Sequence, residues 1–382
     1  YTPGVAQVCR AIAADNSCYT GWYNTQSGNY DVSLQLVSAD GTEQWPHGGI
    51  IVSAHPQNSW VMDWSLIADS TGNALVAFAD IRDGNSNIHA YKIAPDGTFL
   101  WGADGIDITS NNDGKGPPSL VETGDGDIIV AWYASPTIGA PAIRAQRLTA
   151  EGVPQYGSNG IALSELTDTM PSGQSMVPCG EEDFILAYVP VYSFMANRQI
   201  KCQRFNAAGQ SVWANYKMIM DDATVPMGHY FEMMSDGNDG AFFNWSVTIG
   251  VGFTVRAQHI NADGTESYVH NGRIVSTEPS YTQISPSMAH DEATGELTVL
   301  YIQMNSNQAE KGVFGQRLDT NGDLLWGAYG REILPVSTSN KGFVWALDSG
   351  DGVLGLCFEA PQNGYGQDEV LGFKLNTDGD LI

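Results

Sequence analysis

Short apolar runs punctuated by clusters of Gly, Asp, Asn and Ser recur along the whole 382-residue chain, and none has the length or period of a helix. The segment 118–163 shows the pattern most cleanly. PSLVE (118–122) predicts a strand, TGDG (123–126) a turn, and DIIVAWY (127–133), rich in β-branched and aromatic residues, a second strand. In AIRAQRL (142–148), Ala142, Arg144, Gln146 and Leu148 alternate with Ile143, Ala145 and Arg147, the period of a third strand. A fourth begins at Gln155 and Tyr156 and runs through Gly160 to Leu163.

This unit repeats. A strand, a turn and an aromatic recur as LQLVSADGTEQW (34–45), AYKIAPDGTFLW (90–101), AQRLTAEGVPQY (145–156) and CQRFNAAGQSVW (202–213), and again from 257, 315 and 372. The turn glycines Gly41, Gly97, Gly152, Gly209, Gly264, Gly322 and Gly379 are spaced by 55 to 58 residues. The aromatics Trp22, Phe78, Trp132, Tyr188, Trp245, Tyr301 and Phe358, which close a second apolar run, are spaced by 54 to 57. Two independent landmarks with one period define a structural unit.

Four short antiparallel strands per unit cannot hide both faces from water, whereas stacking sheet on sheet around an axis does. The fold expected is all-β: one seven-bladed β-propeller over 1–382, its seventh blade incomplete at the outer strand. Blades fall at 1–53, 54–109, 110–164, 165–220, 221–276, 277–335 and 336–382. The aromatics Trp45, Trp101, Tyr156, Trp213, Tyr268 and Trp326 are expected as wedges between neighbouring blades.

The repeat resembles one common in secreted bacterial proteins, carried by AFADIRDGNSNIHAYKIAPDGTFLWGADGI (77–106), AIRAQRLTAEGVPQYGSNGI (142–161) and GQRLDTNGDLLWGAYG (315–330). That resemblance covers nearly the whole chain and implies architecture and export. The DG-xxx-W turn is also similar to tryptophan-docked propellers of the quinoprotein type. Seven copies and no adjacent cysteine pair depart from that pattern, so no quinone is expected. SADGTEQW (38–45) resembles the Asp-box of sialidase-type propellers at Ser38, Asp40 and Trp45, with Gly41 one place early.

Charge narrows the partners. Seventeen Lys and Arg against 43 Asp and Glu leave a net charge of −26, a field that repels phosphate backbones and anionic lipid headgroups. Nucleic acid and membrane insertion are therefore not expected, while a glycan or protein ligand is. The five cysteines (Cys9, Cys18, Cys179, Cys202, Cys357) show no CxxC spacing, and the pairing considered is Cys9 with Cys18. No 18-residue apolar run occurs and the first residue is Tyr1, which reads as a mature secreted, periplasmic or cell-surface product, a monomer or part of a larger surface-attached chain.

Residues placed by the repeat read as scaffold. That covers Arg144, Arg147, Arg204, Arg256 and Arg317 on third strands, and the Asp-Gly pieces at 124–127, 236–240 and 349–352, which occupy turns. Arg10, Arg82, Arg198, Arg273 and Arg331 fall outside it, and no arginine triad of the sialidase kind emerges. The seven His show no metal spacing, and no nucleophile elbow or phosphate loop occurs. No metal, cofactor or catalytic residue is expected.

What the repeat leaves over is a set of irregular loops rich in aromatics and amides. Trp60, Trp64, Tyr192, Phe194, Tyr230 and Tyr281 lie there, and stacking rings beside hydrogen-bonding side chains suit a glycan or peptide. Thirteen residues before the core aromatics the chain has Cys9, Ser65, Ser119 and Ser175, with Ser287 displaced by one step, and Glu232 and Trp345 break this run of small residues. These eight residues form the expected ligand site. The function expected is a non-catalytic recognition or adhesion scaffold; the alternative is a glycan-active hydrolase using carboxylates on the same face.

Overall fold

A computed structural model describes residues 5–13, 15–57, 64–136, 139–165, 168, 170–191, 197–250, 252–360 and 369–382. The chain divides into two compact units, Tyr1–Phe184 with Phe205–Gln210, and Ile185–Arg204 with Ser211–Ile382. Among the described residues there is no helix, and the strands form seven sheets, six of four strands and one of three. Repeated four-stranded antiparallel sheets without helices fit a β-propeller.

In the first unit, sheet one comprises Val5–Ile12, Cys18–Asn24, Asp31–Val37 and Ile50–Ser53, in chain order. Sheet two comprises Trp64–Ala68, Ala74–Asp80, Asn87–Ile93 and Ile106–Asp107, and sheet three Gly114–Glu122, Ile128–Ser135, Ala142–Leu148 and Ile161–Ala162. Sheet four, Ser172–Cys179, Asp183–Val189, Ile200–Phe205 and Lys217–Met220, is the one through which the division passes. The second unit holds sheet five (Glu232–Ser235, Ala241–Ile249, Gly252–Ile260, Arg273–Ile274) and sheet six (Thr282–Asp291, Glu296–Met304, Lys311–Leu318, Arg331–Ser337). It also holds sheet seven, whose three strands are Asn340–Asp348, Val353–Ala360 and Glu369–Leu375.

The third strand of the segment 118–163 forms where its alternation places it, and the first two extend slightly beyond their expected ends. The fourth is shorter than expected and pairs only at Ile161–Ala162. Its approach is bent by Gly157 and Gly160, both at positive φ, and is held by a side chain instead of a ladder. Gln146 Oε1 accepts from Tyr156 N at 2.8 Å, and its Nε2 donates to Gly157 O at 2.6 Å. The same clamp joins Gln35 to Trp45, Gln203 to Trp213, Gln258 to Tyr268 and Gln316 to Trp326.

Each clamped aromatic reaches the next repeat. Within the first unit Trp45 Nε1 donates to Pro95 O at 2.9 Å, Trp101 Nε1 to Ala150 O at 3.2 Å and Tyr156 Oη to Ala207 O at 2.9 Å. Within the second, Trp213 Nε1 donates to Ala262 O at 3.0 Å and Trp326 Nε1 to Thr377 O at 3.1 Å. Five of the expected wedges are therefore hydrogen-bonded to the next repeat, while the buried Tyr268 hydroxyl has no such partner among the described residues. They also account for the turn glycines: a Cβ at Gly264 would lie 2.9 Å from the Trp213 ring, and one at Gly322 would lie 2.8 Å from Tyr268.

The repeat cations are scaffold, as their periodicity implies. Lys92 pairs with Asp69 at 2.9 Å, Arg147 with Asp125 and Asp127, His259 with Asp236 at 2.8 Å, Arg317 with Asp291 and Glu296, and Lys374 with Asp351 at 2.7 Å. Each ties a third strand to the first turn of a repeat. Cys18 is a free thiol, so it makes no bridge with Cys9.

Candidate functional site

Of the eight residues expected to bind ligand, Trp60, Tyr192 and Phe194 lie outside the described residues. Trp64 is a core residue: it is 5% exposed, packs on Tyr23 at 5.7 Å, and fills the space where Gly21 has no side chain. It faces inward because it opens a strand whose alternate positions are buried. Tyr281 is half-buried at the entry to sheet six, and Trp345 is 39% exposed.

Glu232 also turns inward. Its Oε2 accepts from Asn244 Nδ2 at 2.8 Å and Met288 N at 3.0 Å, and Oε1 lies 3.2 Å from Ser287 Oγ. Ser287 Oγ in turn accepts from Ala346 N at 3.1 Å, so one carboxyl group ties the first strands of sheets five, six and seven together. Burial pushes its pKa up from the ordinary value of 4.5, against the opposing effect of these hydrogen bonds. Glu232 is thus a positioning residue, since its two oxygens accept three hydrogen bonds from the protein.

The linkage has a definite sign. With the folded value raised, the contribution of Glu232 to stability is full below pH 4.5 and is lost as pH rises through the folded value. A Gln side chain can keep all three contacts: Oε1 accepts from Asn244 and Met288, and Nε2 donates to Ser287 Oγ. Glu232→Gln is therefore expected to stabilise the chain increasingly as pH rises above 4.5, relative to the wild type. Paired thermal melts between pH 4 and 9 check this, and a pH-independent difference between the two proteins contradicts it.

Tyr230 stands apart, 58% exposed on the segment that leads into sheet five. The segment is pinned at several points. Arg198 N donates to Thr224 Oγ1 at 2.9 Å, Val225 N to Arg198 O at 3.0 Å and Thr248 N to Thr224 O at 3.1 Å. A turn then closes with His229 N on Pro226 O at 3.0 Å, using Gly228 at φ +80°. Beyond it the side chains diverge. Phe231 is buried against Phe243 at 6.0 Å, Tyr230 points to solvent, and His229 stacks on Phe253 at 6.1 Å and 23°.

His229 was not among the expected site residues, although its loop lies outside the repeat. Burial, and then the positive charge of Arg198, hold its imidazole below the ordinary histidine range. It is therefore neutral at pH 7, and among the described residues neither ring nitrogen is taken by a hydrogen bond. Arg198 is likewise uncommitted. Arg82, Arg147, Arg256, Arg317 and Arg331 each hold a carboxylate, whereas among the described residues Arg198 holds none and its buried Nε has no partner.

A basic nitrogen and a phenol thus share one pinned segment, and the backbone of the unpaired cation Arg198 is bonded to that segment at Thr224 and Val225. That set can take a proton, hold an anion and give a proton back. Among the described residues no three His, Cys, Asp or Glu side chains converge as a metal site requires. A cavity of about 370 Å³ in the first unit is walled by groups already engaged. There Asn159 accepts from Ser110 N, Gln146 holds Tyr156, and Asp107 pairs with His89.

No family model matches the chain, and no curated protein matches it. Its fold does match solved structures. A polysaccharide lyase of the PL25 ulvan lyase family, bound to -[GlcA(1-4)Rha3S]-, superposes with TM-score 0.58 at 9% identity, over 99% of this chain and 95% of the other. A second structure titled as a PL25 ulvan lyase gives the same values. The polysaccharide lyase Uly1 superposes with TM-score 0.55 at 12% identity, over 98% and 90%. These findings correct the expectation of a non-catalytic scaffold, because the fold is shared with glycan-active enzymes. Among the described residues no helix is long and apolar enough to cross a membrane.

Proposed function

We propose that the chain is a glycan-active enzyme that cleaves a uronate-containing polysaccharide by β-elimination. Arg198 binds the uronate carboxylate and lowers the acidity barrier at the adjacent carbon. His229 removes the C5 proton, and the electron pair forms the C4–C5 double bond. As the C4–O bond breaks, Tyr230 gives its phenolic proton to the departing glycosidic oxygen. The products are a chain end with a free hydroxyl and an unsaturated uronate, and exchange with water returns His229 and Tyr230 to their starting states.

The observation that carries this reading is His229, stacked on Phe253 with neither ring nitrogen taken, on a segment bonded to the backbone of the unpaired Arg198. A hydrolase built on paired carboxylates has less support, because Glu232 is half-buried and both of its oxygens accept hydrogen bonds from the protein. The lyase folds noted above favour the same class. We also propose that the seven sheets are the blades of one seven-bladed propeller that works outside the cell, as the resemblance to secreted repeats implies.

The test uses the polysaccharide of glucuronate and rhamnose 3-sulfate, with neutral arabinan as control. Ultraviolet absorbance from the conjugated double bond, together with new chain ends, is expected with the first alone. New reducing ends without absorbance indicate a hydrolase, and no cleavage of either overturns the reading. Salt supplies a further expectation. The net charge of −26 repels an anionic glycan, so kcat/KM should rise as ionic strength increases from about 0.01 to 0.15 M and the Debye length shrinks to about 8 Å. A flat or falling profile over that range counts against an anionic substrate.

A further inference from the structure

We propose that Arg256 and Asp222 form a clasp that fixes the course of the segment 221–231 and so positions His229. Arg256 lies on the third strand of sheet five with its side chain 10% exposed. Its Nη1 donates to Asp222 Oδ1 at 2.7 Å and to Asn271 O at 3.0 Å. Asn271 adds a second tie one residue earlier, because its Oδ1 accepts from Asp221 N at 2.7 Å. The segment is thus held at its first two residues, ahead of the bonds at Thr224 and Val225 and the turn that ends at His229.

Sheet three shows that the repeat does not require this pair. Arg144 takes the matching place there, opposite Trp132 as Arg256 stands opposite Trp245. It donates from Nε to Asn159 O at 3.0 Å and from Nη2 to Gly160 O at 2.6 Å, both of them backbone carbonyls. Asn159 Oδ1 accepts from Ser110 N, as Asn271 Oδ1 does from Asp221 N. Arg256 keeps one such carbonyl and reaches beyond it to Asp222, and its buried Nε is left without a partner. A buried donor without an acceptor is a cost, and it accompanies the one bond here that ties the strand to the irregular loop. Periodicity places Arg256 with the scaffold; the carboxylate it holds belongs to the segment that carries His229 and Tyr230.

The effect of the pair is positional. Asp222 is 44% exposed, so the attraction itself is partly screened, but Arg256 is not free to do without it. Removing Asp222 leaves a nearly buried guanidinium with a single acceptor, and it must turn toward water or draw in another group. Either response releases the start of the segment. His270 lies 3.6 Å from Asp221 as a further tie, yet both side chains are about half exposed, so water weakens it. The clasp holds whether or not the chain cleaves glycan; its consequence for turnover rests on His229 being the base of the proposed elimination.

The test follows the His229 imidazole by NMR titration of the full chain, which needs no turnover. Burial, and then Arg198, hold that imidazole below the ordinary histidine range. Asp222→Ala is expected to move its titration to higher pH, because release of the segment lets water reach the ring. The sign is diagnostic, since deleting an acid that acts through its charge alone moves a neighbouring histidine to lower pH. Asp222→Asn keeps an oxygen for Arg256 and is expected to titrate close to the wild type. Amide exchange at Val225 should quicken roughly tenfold in Asp222→Ala, with the core amide of Val130 unchanged. A His229 titration that stays in place or moves to lower pH in Asp222→Ala overturns the proposal. If that variant does not fold, Asp222→Ser carries the test with the same two outcomes. A shift to higher pH in a chain that cleaves nothing sinks the lyase reading and leaves the clasp standing. Cleavage at the wild-type rate with His229 unmoved in Asp222→Ala sinks the clasp alone.

Discussion

Replacing His229 with Ala is expected to lower kcat for glycan cleavage by about 10²–10⁴-fold while leaving substrate affinity largely intact, the range for loss of a general base. The reason is positional. His229 is the uncommitted neutral base of its segment, held by a turn, a stacked Phe253 and a buried Phe231 that is its near neighbour in sequence. The pH profile supplies a sharper check. A base must be deprotonated to act, so activity falls as pH drops through the His229 value, which lies below the ordinary range. Wild-type activity should therefore persist into mildly acidic solution. Arg198→Gln removes a cation that disfavours the imidazolium, so the acid limb of the profile should move to higher pH as KM rises. An acid limb that stays in place would show that Arg198 does not act on this base.

The largest stability effect is expected at a residue far from any chemistry. Trp213→Ala should cost about 3–5 kcal/mol, the range for emptying a buried aromatic site. The ring is 7% exposed, its Nε1 bonds Ala262 O, and it covers the turn glycine Gly264 of the next repeat. Removing it opens a void between two repeats and takes one of two donors from Ala262 O, which also accepts from Arg204 Nη1. Chemical denaturation measures the loss, and a cost below about 1 kcal/mol would show that the wedge does not secure the repeats.

A glycine comparison isolates the same contact. Gly41 and Gly264 have similar backbone angles, φ +87° and +80°, but a Cβ at Gly41 meets nothing within 4 Å, whereas one at Gly264 meets the Trp213 ring. Both Ala variants bear the positive-φ cost, and only Gly264→Ala adds overpacking of about 1–3 kcal/mol.

Most of the architecture was legible before any coordinates. Gly41 to Gly379 and Trp45 to Trp326 mark the same local event in each repeat, a turn followed by an aromatic, and local events are written in local residues. Two of the arginines that the repeat places on third strands, Arg147 and Arg317, pair with turn carboxylates at matching places. The site was legible only in part. Setting the repeat aside left the loop DDATVPMGHYF (221–231) and so Tyr230, but its neighbour His229 carried no spacing that marked it. Trp64 stands in a loop rich in aromatics and Glu232 breaks the run of small residues, yet both face inward.

Strand periodicity, turn chemistry and the division into repeats came from the order of residues, because each depends on neighbours within a few positions. Which way Glu232, Trp64 and Trp345 point depends on register, and a single bulge such as the one between Gly342 and Trp345 reverses the side chains beyond it. Whether His229 is neutral depends on Arg198, thirty-one positions earlier, and on burial that only folding creates. Proximity and desolvation across such distances belong to the tertiary structure, and they decide where this chain can do chemistry.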